Sequence, residues 1–363
     1  MKRKNCTICK HPLEFFYKVT NFPVLTLPTE QESHLDEYHD ISYGICSECL
    51  SIQLVNLIDP AKLYDYPNKS SLSPLWIQHH NEFVKFVESN CLSLEEIFEL
   101  GGANNSLYKY FSQNIKYSIL DLHEPLTKEK NVNYILGNIE EFSNYHTSTI
   151  ILSHTFEHLY NPHSFLEKIK DSCVKNIFIS VPNMVQLLKR KNSVSIVFSE
   201  HTFYFEPSDL FYMLSLYGFI CKEHKSFKEH SDFFYFSREQ CKGIEVHKKK
   251  EAKKLFVDHF FGKEQRIKDI NISSPFYIMP SHYIGQMVYH YLECKKNVIG
   301  FLDNDTNKCN KRLYGTNCKT FVPSQELLEG KTVLLIANPY KEEMKAQLKS
   351  LSSSMNLIEC QLL

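Results

Sequence analysis

The sequence predicts an α/β protein built on a doubly wound parallel sheet, with a small cysteine-stapled module in front and a second, smaller α/β domain behind. Three observations carry this. Two C-x2-C pairs, Cys6-Thr7-Ile8-Cys9 and Cys46-Ser47-Glu48-Cys49, stand at the front. From residue 93 to about 236, short apolar segments alternate with stretches of helical spacing. The first of these segments, Ile97-Phe98-Glu99-Leu100, runs into Gly101-Gly102, as a strand does before a turn whose backbone approaches a ligand. The shifts in pattern put the boundaries at 1–74, 75–240 and 241–363.

At 363 residues the chain is long enough for two or three domains with a sizeable core. Its 41 Lys and Arg against 42 Asp and Glu leave a net charge of −1, so neither a nucleic-acid nor a membrane-surface role is expected. No apolar run approaches the roughly 20 residues that cross a bilayer. The first residues, Met1-Lys2-Arg3-Lys4-Asn5-Cys6, lack the apolar core of a signal peptide, which predicts a cytoplasmic protein. Eight of the 12 cysteines are scattered singly, as reduced thiols are.

The other four are paired. A two-residue knuckle brings both sulfurs onto one metal, so Cys6, Cys9, Cys46 and Cys49 make a closed tetrahedral thiolate site of the kind that zinc fills. With no position left for water, its role is structural, tying down a module too small to fold on core burial alone. Two disulfides or a redox pair are the other arrangements open to these cysteines, and His34 or His39 could stand in for a ligand.

Past the second knuckle, the stretch around Tyr64-Asp65-Tyr66-Pro67-Asn68 reads as a loop of the kind that carries substrate-binding groups, or as a plain linker. Residues 75–87 have helical spacing. After the glycine turn an amphipathic pattern through Tyr110 predicts a helix. Lys116-Tyr117-Ser118-Ile119-Leu120-Asp121 then reads as a second strand ending in an acid about 20 residues after the turn, placed to bond the ribose hydroxyls of an adenosine cofactor. A strand and polar turn follow at 133–142, a fourth strand at 149–154, and a fifth at 176–183. Ligands are expected at the carboxyl ends of these strands.

Glu99-Leu100-Gly101-Gly102, Asp121, Gly137-Asn138-Ile139-Glu140 and Ser153-x4-His158 with Pro162 look like the successive S-adenosylmethionine-binding segments of class I methyltransferases. Together with the four cysteines, a Tyr-x-x-x-Ser-Ser-x-Ser loop and a further α/β domain, the chain resembles the zinc-containing sugar C-methyltransferases, which methylate nucleotide-linked 4-keto deoxysugars. The resemblance implies a class I methyltransferase sheet, a structural zinc ion, and S-adenosylmethionine bound by Glu99, Gly101, Gly102, Asn104, Asp121, Asn138, Ile139 and Ser153. It also implies a Rossmann-like last domain and a nucleotide-linked sugar as substrate. The expected assembly is a monomer or weak homodimer, and the balanced charge predicts no nucleic-acid or membrane partner.

In that family a Tyr-His-Glu-His run after the fifth strand supplies the base, and Glu200-His201 match its second half. Carbon methylation beside a ketone requires loss of a proton from carbon, and a neutral imidazole suits that step near neutral pH. His201 is therefore the expected base, Glu200 its orienting acid, His158 the donor to the ketone oxygen, and Tyr66 the counterpart of the family's substrate-loop tyrosine. Two departures stand out: Phe198-Ser199 replace the first Tyr and His, and Asn104-Asn105-Ser106 replace an Asn-Asp-Gly. A sugar O-methyltransferase could use the same base, and a retired relative that only binds would tolerate both changes.

His224 and His230 fall on a late strand and turn, where His230 reaches the substrate or sits on a surface turn. The run 246–254 reads as a charged bridging helix, with a basic patch for a nucleotide diphosphate as the alternative. The last domain begins with a strand at 276–279 and a turn, Pro280-Ser281-His282-Tyr283-Ile284-Gly285, whose single glycine argues against a separate dinucleotide site.

Overall fold

The computed structural model describes residues 2–64, 73–91, 94–102, 104, 106–112, 115–189, 199–239, 255, 262–336 and 340–360. Tyr66, Asn105, Phe198 and the 246–254 run lie outside them. The chain divides into two compact units: 1–17, 42–187 and 200–253 form the first, and 18–41, 188–199 and 254–363 the second.

The strands of the first unit, in chain order, are β1 (Leu13–Pro23, which leaves the unit after Tyr17), β3 (Tyr38–Cys46, which enters it at Ser42) and β4 (Ile52–Leu54). These are followed by β5 (Glu96–Leu100), β6 (Lys116–Asp121), β7 (Val132–Leu136), β8 (Thr149–Ser153), β9 (Asn176–Pro182), β10 (Phe203–Tyr204), β11 (Phe219–Phe227) and β12 (Ser231–Arg238). Seven of them form one sheet in the order β11-β12-β9-β8-β5-β6-β7. The five from β7 to β9 are parallel, and β12 runs antiparallel to both β9 and β11. The strand order reverses beside β5, between β6 and β8, so the doubly wound sheet predicted from the sequence is present with its switch point at the glycine turn.

Local chemistry sets the helix boundaries. In α2 (Pro74–Asn90), Ser73 accepts from Trp76 N and Pro74 opens the first turn; its buried residues His79, His80, Phe83, Val84, Phe86 and Val87 repeat at helical spacing. Asp59 caps the single turn α1 (Pro60–Leu63), Asn161 caps α3 (Pro162–Lys170), the short α4 (Met184–Lys189) follows β9, and Glu206 with Asp209 forms a capping box on α5 (Pro207–Ser215). Apolar side chains fill both faces of the sheet. One face holds Leu100, Leu120, Leu152, Ile179 and Phe234 with Phe156, Phe165 and Met213; the other holds Ile97, Ile119, Ile151, Phe178 and Phe233 with Phe83 and Val87. Cys6, Ile8, Cys46 and Cys49 belong to the first of these cores.

Among the described residues the expected helix after the glycine turn is not formed, and a single 3-10 turn, Leu107–Tyr110, stands in its place. Ser106 caps it, and the Glu99 carboxylate accepts from Ser106 Oγ (2.9 Å) and from Leu107 N (3.2 Å), which closes the segment back onto β5 before a longer helix can start.

In the second unit β2 (Pro28–Thr29) pairs antiparallel with β15 (Arg312–Leu313), and a parallel five-stranded sheet, β16-β14-β13-β17-β18, is made by β13 (Phe276–Met279), β14 (Val298–Leu302), β16 (Thr320–Phe321), β17 (Thr332–Ile336) and β18 (Asn356–Cys360). Its core includes Tyr277, Met279, Leu302, Val333, Leu335 and Leu348. Within this unit Arg312 holds Asp36 by two hydrogen bonds of 2.7 and 2.6 Å. Among the described residues no helix is long and apolar enough to cross a membrane.

Candidate active site

The two knuckles meet. Cys6 Sγ lies 3.6 Å from Cys49 Sγ and Cys9 Sγ lies 3.4 Å from Cys46 Sγ, with all four sulfurs within 4.8 Å of one another. Thiolates about 2.3 Å from a common zinc ion sit about 3.8 Å apart in a tetrahedron, whereas a disulfide holds sulfurs at about 2.05 Å. The donor set and its spacing therefore fit a tetrahedral ion and not two disulfides. Backbone N–H groups of Ile8 and Glu48 point at Cys6 and Cys46 sulfur, and Gln53 Nε2 donates to Cys6 Sγ at 2.9 Å while its Oε1 accepts from Thr7 N.

At the switch point Gly101 has φ +85°, and a Cβ there would lie 2.5 Å from Thr155 Oγ1. At Gly102 a Cβ would lie 2.3 Å from the Glu99 carboxyl carbon. Glu99 is buried and also accepts from Tyr117 Oη at 2.8 Å, so its bonds go to its own turn and to β6. Burial pushes its carboxyl up to about 7, although each of its hydrogen bonds pulls the other way.

Asp121 ends β6 half-buried and accepts from His123 N at 2.9 Å. It lines a shallow surface concavity with His123, Glu124, Pro125, Tyr134 and Leu136. Leu122 and Leu136 stand 40% and 63% exposed beside it. A carboxylate flanked by exposed aliphatic side chains could hold an adenosine, the acid on the ribose hydroxyls and the aliphatics against the base. Asn104 Oδ1 accepts from Leu126 N, Asn138 Oδ1 from Glu140 N, Ile139 is buried, and Ser153 ends β8 half-buried.

Beyond β8 a second group assembles. The rings of His158 and His201 cross edge to face at 5.1 Å. His158 Nδ1 lies 3.8 Å from Glu200 Oε2 and 3.0 Å from Tyr64 Oη. Glu157 Oε1 lies 4.0 Å from His158 Nε2 and 3.4 Å from His154 Nδ1. Backbone bonds set this geometry: Thr202 N donates to Glu157 O (2.9 Å), Leu54 N donates to Thr202 O (2.9 Å), and β10 pairs with β4 just past the second knuckle. Arg3, buried, donates to Thr202 O and Tyr160 O. The cysteine knuckles and the Glu200-His201 loop are thus parts of one hydrogen-bonded structure.

Burial tunes the group. It lowers His158 and His201, the latter further because His158 and His154 are neighbours, which keeps both rings neutral. It raises Glu157 and Glu200 to about 7. A part-buried acid and neutral imidazoles within reach of one another can move a proton at carbon or oxygen.

The structure brings His158, Glu200 and His201 together and places Gly101, Asp121 and Ser153 at strand ends of the same sheet. Sequence reasoning missed Tyr64, Glu157, His79 and His154. Tyr64 stands two residues before the chosen Tyr66, and His154-x-x-Glu157-His158 was a legible cluster in which only the last residue was singled out.

No family model matches this chain, and no curated protein matches it. Among solved structures, the magnesium protoporphyrin IX methyltransferase of Synechocystis PCC 6803, with bound SAH, is 12% identical, with 47% of this chain and 90% of that one covered and a TM-score of 0.35. The N-methyltransferase NodS from Bradyrhizobium japonicum WM9, in complex with S-adenosyl-L-homocysteine, is 9% identical over 46% of this chain and 89% of that one, TM-score 0.35. The N-terminal domain of EvdMO1, in the presence of SAH and D-fucose, is 12% identical over 45% of this chain and 84% of that one, TM-score 0.33.

Proposed function

We propose that this chain is an S-adenosylmethionine-dependent methyltransferase that methylates a carbon beside the ketone of a nucleotide-linked keto deoxysugar, with His201 as base. The observation that carries the reading is the meeting of His158, Glu200 and His201 beyond β8, on a sheet whose other strand ends present Gly101 and Asp121. Segments 1–74, 75–240 and 241–363 are its zinc-binding, methyltransferase and C-terminal parts.

Asp121 would hold the ribose, with Leu122 and Leu136 against the base. When bound, the cofactor supplies an electrophilic methyl group on a sulfonium. His201, neutral by burial, takes the proton from the carbon beside the ketone. Tyr64 Oη lies 3.0 Å from His158 Nδ1; with the tyrosine as donor, the ring proton sits on Nε2 and His158 serves as donor to the ketone oxygen as negative charge develops there. Glu200 orients the sugar or the imidazole.

The test offers S-adenosylmethionine with a 4-keto sugar nucleotide and with its non-keto counterpart, and locates the methyl group by mass and carbon resonance. The expected product carries the methyl on carbon, forms only from the ketone, and drops about 10²–10⁴-fold with His201→Ala. A methyl on a hydroxyl of the plain sugar nucleotide would replace this reading with O-methylation. No transfer to either by zinc-loaded protein would leave a relative that only binds.

A further inference from the structure

Three histidines outside the proposed base pair come from distant stretches: His79 in α2, His154 just after β8, and His230 in the turn between β11 and β12. Each presents a ring nitrogen within 4.8 Å of the other two, and the ring centroids are 5.1, 5.5 and 5.6 Å apart. His79 is fully buried, and its Nδ1 has no hydrogen-bond partner. Each ring holds one nitrogen on a serine hydroxyl: His79 Nε2 is 2.7 Å from Ser180 Oγ, His154 Nε2 is 2.8 Å from Ser231 Oγ, and His230 Nδ1 is 2.6 Å from the same oxygen.

Metal-ligating histidines are held in this manner, the second nitrogen donating to an oxygen that fixes ring and tautomer. Ser231 Oγ has two lone pairs and can accept from both of its rings. With the serine-facing nitrogen as donor, the lone pair of His79 falls on Nδ1, the buried atom that has no hydrogen-bond partner. Trp76 packs on all three rings, at 5.1, 4.6 and 4.7 Å, and shields them from water. Glu157, fully buried, has neither carboxylate oxygen hydrogen-bonded, and its Oε1 lies 3.4 Å from His154 Nδ1.

We propose that His79, His154 and His230 bind a divalent first-row transition ion, with Glu157 supplying the neighbouring negative charge. Imidazole and carboxylate donors suit zinc, iron, cobalt or nickel, and the absence of thiolate separates this site from the four-cysteine centre. Three protein donors leave the ion with open positions, unlike the closed knuckle site.

The experiment titrates the full chain, its knuckle zinc in place, with Co²⁺, and after gel filtration counts zinc and cobalt per chain and records the visible spectrum. The expected result is one retained zinc plus one cobalt per chain, with ligand-field bands and no sulfur-to-cobalt charge transfer. His79→Gln and His230→Gln each lose the cobalt and keep the zinc, and Glu157→Gln weakens cobalt binding about 10–100-fold. Should His79→Gln not fold, as judged by circular dichroism and zinc content, His230→Gln decides alone. No bound cobalt in wild type, or cobalt that survives His230→Gln, overturns the site; neither result bears on methyl transfer.

Discussion

Glu99 accepts from Ser106, Leu107 and Tyr117 inside the core, and burial outweighs those bonds to leave its carboxyl at about 7 against an ordinary value of 4.5. The folded chain therefore keeps a proton that the unfolded chain has released between those values. Its contribution to stability is fully present below pH 4.5 and is lost as the pH rises through about 7. Glu99→Gln removes this dependence, so its melting temperature relative to wild type is expected to rise from pH 5 to pH 8, by at most about 1.4 kcal/mol of stability per pH unit. A difference that stays constant over that range would show that Glu99 is ionised throughout. At this scale the sequence was informative where chemistry clusters along the chain, as in Cys6/Cys9, Cys46/Cys49 and Glu200-His201. It carries no sign that His79, His154 and His230, which are 75 and 76 residues apart, meet one another against Trp76.

Strand β10 is two residues long, yet it holds the loop of the proposed base, His201. Phe203 and Tyr204 pair with Gln53 and Ile52, and Arg3 Nη1 and Nη2 clamp the preceding Thr202 and Tyr160 carbonyls at 2.5 and 2.9 Å. Arg3→Ala takes a donor from the part-buried Tyr160 carbonyl, while Thr202 O keeps Leu54 N, at a cost of about 1–3 kcal/mol. It is expected to lower methyl transfer through the loop while the far-ultraviolet circular dichroism is kept. Unchanged turnover would mean that β10 positions His201 without Arg3. The strands of the sheet were legible because apolar runs ended in Gly101, Asp121 and Ser153. The missing helix at 107–110 was not, since its amphipathic pattern is overridden by the Glu99 carboxylate folding back on the turn.

Across the whole molecule, the cysteine knuckles share a core with the central sheet: Cys6, Cys46 and Cys49 pack in the cluster that contains Phe156, Phe203 and Phe205. Zinc removal should therefore reach beyond the first residues. Cys46→Ser, or chelation, is expected to abolish zinc binding, lower the melting temperature, and disturb the near-ultraviolet signal of those aromatics. An unchanged melting curve after complete zinc loss would make the knuckles an appendage. The motifs predict a domain order, but the contacts between knuckles and β10 depend on pairings more than 140 residues apart.

The central claim, a methyltransferase site at the strand ends around Gly101 and Asp121, is tested most directly by calorimetric titration of zinc-loaded protein with S-adenosylhomocysteine. The account predicts one site per chain, with binding weakened at least tenfold by Asp121→Ala. No heat of binding from a folded, zinc-loaded sample, or binding indifferent to Asp121→Ala, would contradict it.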